Sequence, residues 1–417
     1  MTYKQALAWL YGLQRFGIKL GLENTRRLLD ELGLGSARAS RALFGASPNT
    51  STKVIHVAGT NGKGSVCAMI DSVCRAQGYH TGLFISPHLV TFRERIRVKG
   101  EMISENAVAA GLTMIRDLIA DWDPHPTFFE VTTMLALKHF GDAKIEIAIL
   151  ETGLGGRLDA TNAVQSDVSV ITPIALDHEK WLGHTLAEIA GEKAGIIKPG
   201  VPVVSAPQQP QAEEVICARA AECGSPVQFV NETYQGSLVA LRGDHQKQNA
   251  AIAIAAIRAA NIELDEKAIV HGLTAIEWPA RFQKWDERTI IDGAHNPGAA
   301  RILTQTWREV FGDQKATLVL AVLCDKDLRG ICEALAPIAD SILLPKIQTE
   351  RAVDPSVLQK VFVDLGRESQ IAASFSEAFA KAREQSAPIL ITGSLHFAGE
   401  ALAHLQGRPA AFEECAQ

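Results

Sequence analysis

The stretch from His56 to Ile70, HVAGTNGKGSVCAMI, limits the fold more than any other part of the chain. It leaves a run of apolar, β-branched residues, passes through Gly59, Gly62 and Gly64 around Lys63, and resumes with helix-forming residues. Strand, glycine loop, helix is the order a phosphate cradle needs. Glycines let backbone N–H groups converge on phosphate oxygens, the helix aims its positive end at them, and the lysine adds a point charge. The spacing departs from GxxxxGK[ST], since Gly59 stands only three before Gly62 and Gly64 separates Lys63 from Ser65. A plain glycine turn is the alternative; a lysine set among the glycines at a strand-to-helix junction favours phosphate.

Around this loop, short apolar runs alternate with helical stretches, which argues for an α/β fold with a mainly parallel sheet. KVIHVAG (53–59), HTGLFIS (80–86), IEIAILE (145–151) and VSVITP (168–173) read as buried strands. Near residue 200 the pattern changes to a Pro/Gln loop followed by a helix. A second alternation begins near residue 287, where TIIDGA, ATLVLAVL, SILLP and PILITGS are interleaved with helical patterns. This predicts a second, smaller doubly wound unit, with domains at 1–282 and 283–417 and the boundary in WPARFQKWDE (278–287). The net charge of -6 speaks against a general nucleic-acid binder, though not against a small anion in a local basic pocket. The longest apolar run, AAIAIAAI (250–257), is too short to span a bilayer, and the first residues lack the continuous apolar region of a secretory signal. No membrane association is expected, and a cytoplasmic location follows. Seven cysteines with no CxxC pair and no zinc spacing read as reduced, buried thiols.

Ligands of open α/β sheets lie beyond the carboxyl ends of the strands. The polar residues at those ends are Ser86, Glu151 and Asp177–His178. If the strands are parallel neighbours, Ser86, Glu151 and His178 converge beside the phosphates as a set suited to Mg²⁺, with water and nucleotide completing the shell. Singly, each is equally a capping or loop residue. The following stretch, ETGLGGRLDATN (151–162), permits close backbone approach at its glycines and offers Arg157 and Asp159 to a polar ligand, although a glycine-rich turn accounts for it as well. In TLAEIAGEKAGIIKPG, Thr185 and Glu188 fit a capping box, and Lys193 falls on the apolar face of the helix they begin. A buried ammonium is costly, so the amine should be paired, near a ligand, or neutral and open to carbamylation by CO₂. The sequence pattern by itself favours snorkelling, in which the stem is buried and the head reaches water.

GTNGKGS, SPHLVTFRERI, ETGLGGRLDATN, LDHEKWLGHTLAEIAGEKAGIIK, WPARF, DGAHNP, DKD and ITGS occur in this order along nearly the whole chain. Together they closely resemble the folylpolyglutamate synthase/dihydrofolate synthase family of the Mur ligase superfamily. The resemblance implies a Mur-ligase-like P-loop domain with a mainly parallel sheet and a smaller C-terminal Rossmann-like α/β domain. It implies an ATP-dependent amide ligase that phosphorylates the terminal carboxylate of a folate and then admits the amine of L-glutamate. By position, Thr60, Asn61, Gly62, Lys63, Gly64 and Ser65 match the ATP loop, and Asn249, Arg281 and Asp292 match further nucleotide contacts. Ser86, Glu151 and His178 match ligands of Mg²⁺, and the family leaves room for K⁺. Lys63 and His178 match catalytic positions, and Lys193 matches the family's carbamylated lysine, against the snorkelling that its pattern favours. Arg95, His295 and Ser394 match positions that hold the incoming glutamate; Thr127, Leu158, Asp159 and Ala160 match the pterin side. The partners implied are small molecules (ATP, a folate or pteroate, L-glutamate), and the family's habit is a monomer. One departure concerns the acceptor. RFGIKLGLEN carries Lys19 where relatives that also make dihydrofolate often have an acidic residue, so glutamate addition to a reduced folate is the firmer expectation. Two other readings are a Mur-type ligase of cell-wall nucleotide peptides, disfavoured by GLGGRLDATN, and a P-loop switch or binding protein, which does not require DGAHNP or DKD.

Overall fold

The computed structural model describes residues 1–17, 21–34 and 52–413; Lys19 lies outside them. Two sheets organise the chain. The first contains β1 (Lys53–Ala58), β2 (Thr81–Phe84), β3 (Ile96–Val98), β4 (Glu101–Met102), β5 (Ile147–Glu151), β6 (Val168–Ile171), β7 (Val203–Ser205) and β8 (Val227–Phe229), in the order β4-β3-β2-β5-β1-β6-β7-β8. All its pairings are parallel except β2/β3 and β3/β4, an antiparallel edge that the sequence patterns did not reveal. β1 lies between β5 and β6, so chain entering at the centre is followed by strands on either side. This is the switch point where a cleft opens beyond the strand ends.

The first sheet is covered on both faces. Leu10, Leu112, Val131 and Phe140, from helices Tyr3–Gly12, Glu105–Leu118 and Phe128–Ala143, join one core with Phe84 and Leu150. Helix Lys63–Ala76 lies on the other face with helices Asp244–Ala259 and Glu266–Ala275, through Met69, Val73, Ile257 and Leu273. Strands covered on both faces read as continuous apolar runs, which is why the central ones were legible.

The second sheet contains β9 (Gln283–Lys284), β10 (Thr289–Ile291), β11 (Ala316–Leu320), β12 (Ala339–Pro345), β13 (Gln370–Ala372) and β14 (Ile389–Thr392), in the order β13-β12-β11-β14-β10-β9. Only β9 runs antiparallel to its neighbour. Phe282 already belongs to this sheet's core, edge-on to Trp307 and tilted against Phe311. Among the described residues no helix is long and apolar enough to cross a membrane. Of the six described cysteines, all free, only Cys67, Cys74 and Cys332 are buried, so the expectation of buried thiols holds for half of them.

Candidate active site

The glycine loop follows β1 directly. Gly59 has φ +146° and a Cβ there would stand 1.9 Å from Thr172 Oγ1, so no side chain fits. Gly62, at φ +91°, begins helix Lys63–Ala76 in the left-handed region and leaves the helix end without a side-chain cap. Thr60 ties the loop to the chain beyond β6: its hydroxyl donates to Ala175 O at 3.1 Å, and the Thr60 amide donates to Pro173 O at 3.0 Å. Lys63 Nζ turns back to Gly59 O at 3.1 Å and Thr60 O at 3.3 Å.

Lys193 Nζ donates to the same Gly59 carbonyl, at 2.8 Å. The expected capping box of Thr185 and Glu188 begins its helix, Leu186–Ala194. Snorkelling does not occur: the residue is only 4% exposed, and the amine points inward to the loop. Burial, with Lys63 beside it, pulls this amine down from its ordinary 10.5 to about 7. Two lysine heads thus meet on one carbonyl, and the Lys63 ammonium leaves positive charge at the loop, as an anion site requires.

The strand-end residues line the same cavity. Glu151, at the end of β5, is buried and accepts from the Ser86 amide at 3.1 Å. Burial raises its carboxyl, and Lys63 opposes the rise. The Ser86 hydroxyl is buried without a hydrogen-bond partner. His178 has φ +53°, and burial lowers its imidazole to about 4, so it is neutral near pH 7. An orphan hydroxyl, a buried carboxylate and a neutral imidazole fit a hard divalent cation that takes further oxygens from phosphate and water. Among the described residues no three His, Cys, Asp or Glu side chains form a metal cage, so such a cation would depend on the ligand's own oxygens.

The second sheet supplies the opposite wall. Asp292, beyond β10, accepts from the amides of Phe282 and Ala294, both at 2.8 Å. Arg281 donates to Ala280 O at 2.9 Å, and its charge works against the rise that burial gives Asp292. Asn249 Nδ2 donates to Gln246 at 3.0 Å, with its Oδ1 against Gly62. His295 Nδ1 lies 2.9 Å from Gly293 O, and Ser394 Oγ caps helix Leu395–Leu405 by accepting from Phe397 N at 3.0 Å. All of these line the cavity, together with the loop residues Thr60 to Ser65.

Other predicted residues do not reach it. Thr127 caps helix Phe128–Ala143 in a capping box with Glu130. Both carboxylate oxygens of Asp159 are occupied, one by the amides of Gly153 and Leu154, the other by Thr161. Leu158 is half-buried, Ala160 opens a short 3₁₀ turn, and Arg95 is fully buried. Phe129, from the helix that Thr127 caps, packs against the GLGG loop, since a Cβ on Gly153 would meet its ring at 2.4 Å.

The site also contains residues not singled out from the sequence. Lys326, from the DKD block, reaches Asp177 Oδ1 at 2.7 Å, and both side chains are buried. Burial alone would raise Asp177, but His295, His178 and Lys326 hold it well below the usual carboxylate range. Asn296 Nδ2 donates to Asn61 Oδ1 at 3.0 Å and to Asp177 Oδ2 at 3.3 Å. These contacts join the two walls at the glycine loop. DKD and DGAHNP carried the signal, but the partner Asp177 lies too far along the chain for spacing to indicate it.

Two family profiles match the chain: the Mur ligase middle domain over residues 57–203, and the Mur ligase glutamate ligase domain over residues 280–395. Fold and site together thus define a Mur ligase. The chain is 34% identical to the dihydrofolate synthase/folylpolyglutamate synthase of Bacillus subtilis, over 95% of this chain and 97% of that one. It superposes with a TM-score of 0.84 on Mycobacterium tuberculosis folylpolyglutamate synthase complexed with ADP and AMPPCP, at 32% identity, covering 97% of this chain and 99% of that one. A TM-score of 0.85 relates it to the Yersinia pestis bifunctional folylpolyglutamate synthase/dihydrofolate synthase complexed with AMPPNP and Mn, at 31% identity, covering 97% and 98%. The chain belongs to the folylpolyglutamate synthase/dihydrofolate synthase family.

Proposed function

We propose that this cavity joins L-glutamate to the terminal carboxylate of a reduced folate at the expense of ATP. The observation that carries the reading is the meeting of the glycine loop and its two lysines, the Ser86–Glu151–His178 set and the Arg281–Asp292 wall in one cavity. A carboxylate resists an amine because its oxygen is a poor leaving group. Transfer of the γ-phosphoryl group to that oxygen releases ADP and gives an acyl phosphate; the amine then attacks the carbonyl, loses a proton and expels phosphate. The loop amides and Lys63 would neutralise the charge spread over the transferring group. Mg²⁺ held by Ser86, Glu151 and His178 would neutralise phosphate charge and orient the γ-group; the Mn and AMPPNP of the Yersinia relative support a divalent ion with nucleotide.

Lys193 would be carbamylated. An amine lowered to about 7 has a large neutral fraction at cellular pH, and that form adds to CO₂ with release of a proton. Thr60, Asn61, Gly62, Gly64, Ser65, Asn249, Arg281 and Asp292 would hold ATP. His295 and Ser394 would hold glutamate at the cavity wall, and Arg95, buried outside that wall, would complete the site as glutamate enters, while Thr127, Leu158, Asp159 and Ala160 would border the pterin. We take residues 1–282 as the ATP- and folate-binding domain and 283–417 as the ligase domain, with the segment around Arg281 serving both walls. We take the protein as a monomer, the habit of its family, in a reducing, cytoplasmic setting, which the six free thiols among the described residues support.

Mass analysis of products from tetrahydrofolate, ATP and L-glutamate tests this reading: one added glutamate residue per ADP released is expected. ADP release that ignores both folate and glutamate would exclude it. Dihydropteroate is the second acceptor to try, because the Bacillus relative is named for both activities.

A further inference from the structure

The loop after β2 and the segment near Glu413 are joined by one histidine that the reaction scheme does not use. His88 is fully buried. Arg95 Nε donates to its Nδ1 at 2.8 Å, and a guanidinium can only donate. Nδ1 is therefore the acceptor, and the ring's proton sits on Nε2, which donates to the Glu413 main-chain carbonyl at 3.0 Å. With Nδ1 accepting and the one proton on Nε2, the imidazole is neutral. Glu413 is itself fixed: its carboxylate accepts from the Phe92 amide at 2.6 Å, from Thr91 Oγ1 at 3.0 Å and from the Tyr3 hydroxyl, and its amide donates to Val90 O at 2.8 Å. Helix Leu395–Leu405 of the second sheet presses on the same loop, since a Cβ on Gly399 would stand 1.9 Å from Leu89 O.

We propose that His88 is a positioning residue for Arg95, and that Glu413 holds the imidazole in the tautomer this requires. Arg95 lies over the Phe128 ring, 5.3 Å from its centre, and its charge is felt at Glu151, on the cavity wall. An arginine that reads a carboxylate needs its planar fork aimed before the ligand arrives. The neutral ring contributes to that aim and brings no charge of its own. The inference rests on the reading of Arg95 as a glutamate contact.

The test compares the KM for L-glutamate, the KM for ATP, kcat and the melting temperature in four variants. His88→Gln places an amide near the position of Nε2, keeping a donor for Glu413 but none of the acceptor that Arg95 uses. His88→Asn places its carbonyl oxygen near the position of Nδ1, keeping that acceptor. We expect His88→Gln and His88→Leu to raise the KM for glutamate about tenfold to a hundredfold, the range for one hydrogen bond to a charged group, with the KM for ATP within about twofold. His88→Asn should restore most of the glutamate KM. A glutamate KM unchanged in His88→Gln, or rescue that follows the melting temperature rather than the Nδ1-like acceptor, overturns the proposal. Arg95→Lys separates the two levels: if it leaves the glutamate KM unchanged, the reading of Arg95 fails and the role of His88 with it. If it raises that KM while His88→Gln does not, only the role of His88 fails.

Discussion

Lys193→Met exchanges a buried amine for an apolar chain of similar length, and its effect on stability can be worked out from the site. In the folded protein the amine titrates at about 7 against an ordinary 10.5. At 1.36 kcal/mol per pH unit, that gap sets a ceiling of about 5 kcal/mol on the cost of keeping it protonated. Methionine forfeits the bond to Gly59 O, which offsets about 1–3 kcal/mol. The ligand-free variant should therefore be more stable than the wild type by a few kcal/mol, roughly 2–4, at pH 6. The sign with pH follows from proton counting. Between about 7 and 10.5 the unfolded wild type binds more protons than the folded one, so wild-type stability rises with pH through that window. The variant lacks this group, and its advantage should shrink from pH 7 to pH 9. Urea unfolding in CO₂-free buffer measures both curves, and activity should be lost in parallel. Parallel stability profiles for the two proteins between pH 7 and 9, or a variant less stable than the wild type at pH 6, would refute the account of a strained buried amine.

Lys63→Ala and His178→Asn should each reduce glutamate-dependent ADP release by at least about a hundredfold with the melting temperature little changed, since the site's charge neutralisation is lost while asparagine tolerates the left-handed backbone. Lys326→Met leaves Asp177 buried without its cation and should cost about 3–5 kcal/mol, read as a lower urea midpoint; Asp177→Leu combined with Lys326→Met should recover most of it. Gly59→Ala drives a methyl group into Thr172 Oγ1 at a strained φ and should cost roughly 2–6 kcal/mol while weakening nucleotide binding, both readable by calorimetry. Adding Thr172→Ala should relieve only the overlap, not the backbone strain.

The central strands were legible because each is apolar along its whole length and ends at a polar residue. Edge strands such as β4, exposed and two residues long, offer no such pattern. The convergence of Ser86, Glu151 and His178 followed from parallel strand order alone. The orientation of Lys193 did not: helical periodicity gives the face a residue occupies, but only the approach of the loop at Gly59 shows that an acceptor waits there. Likewise the sequence blocks offer Asp159 to a ligand, and the structure adds that its carboxylate also holds its own loop, through the amides of Gly153 and Leu154 and through Thr161. Such local bonds look the same in sequence as a binding residue, because both require an acid at one place. Asp177–Lys326 and His88–Glu413 join residues 149 and 325 positions apart, beyond the reach of any periodic pattern.

The bridge from Asn61 to Asn296 and from Asp177 to Lys326 is built from the phosphate loop and its immediate neighbours. Any parting of the two halves breaks those very bonds, so the opening of the cavity and the set of its phosphate loop hang on the same few atoms.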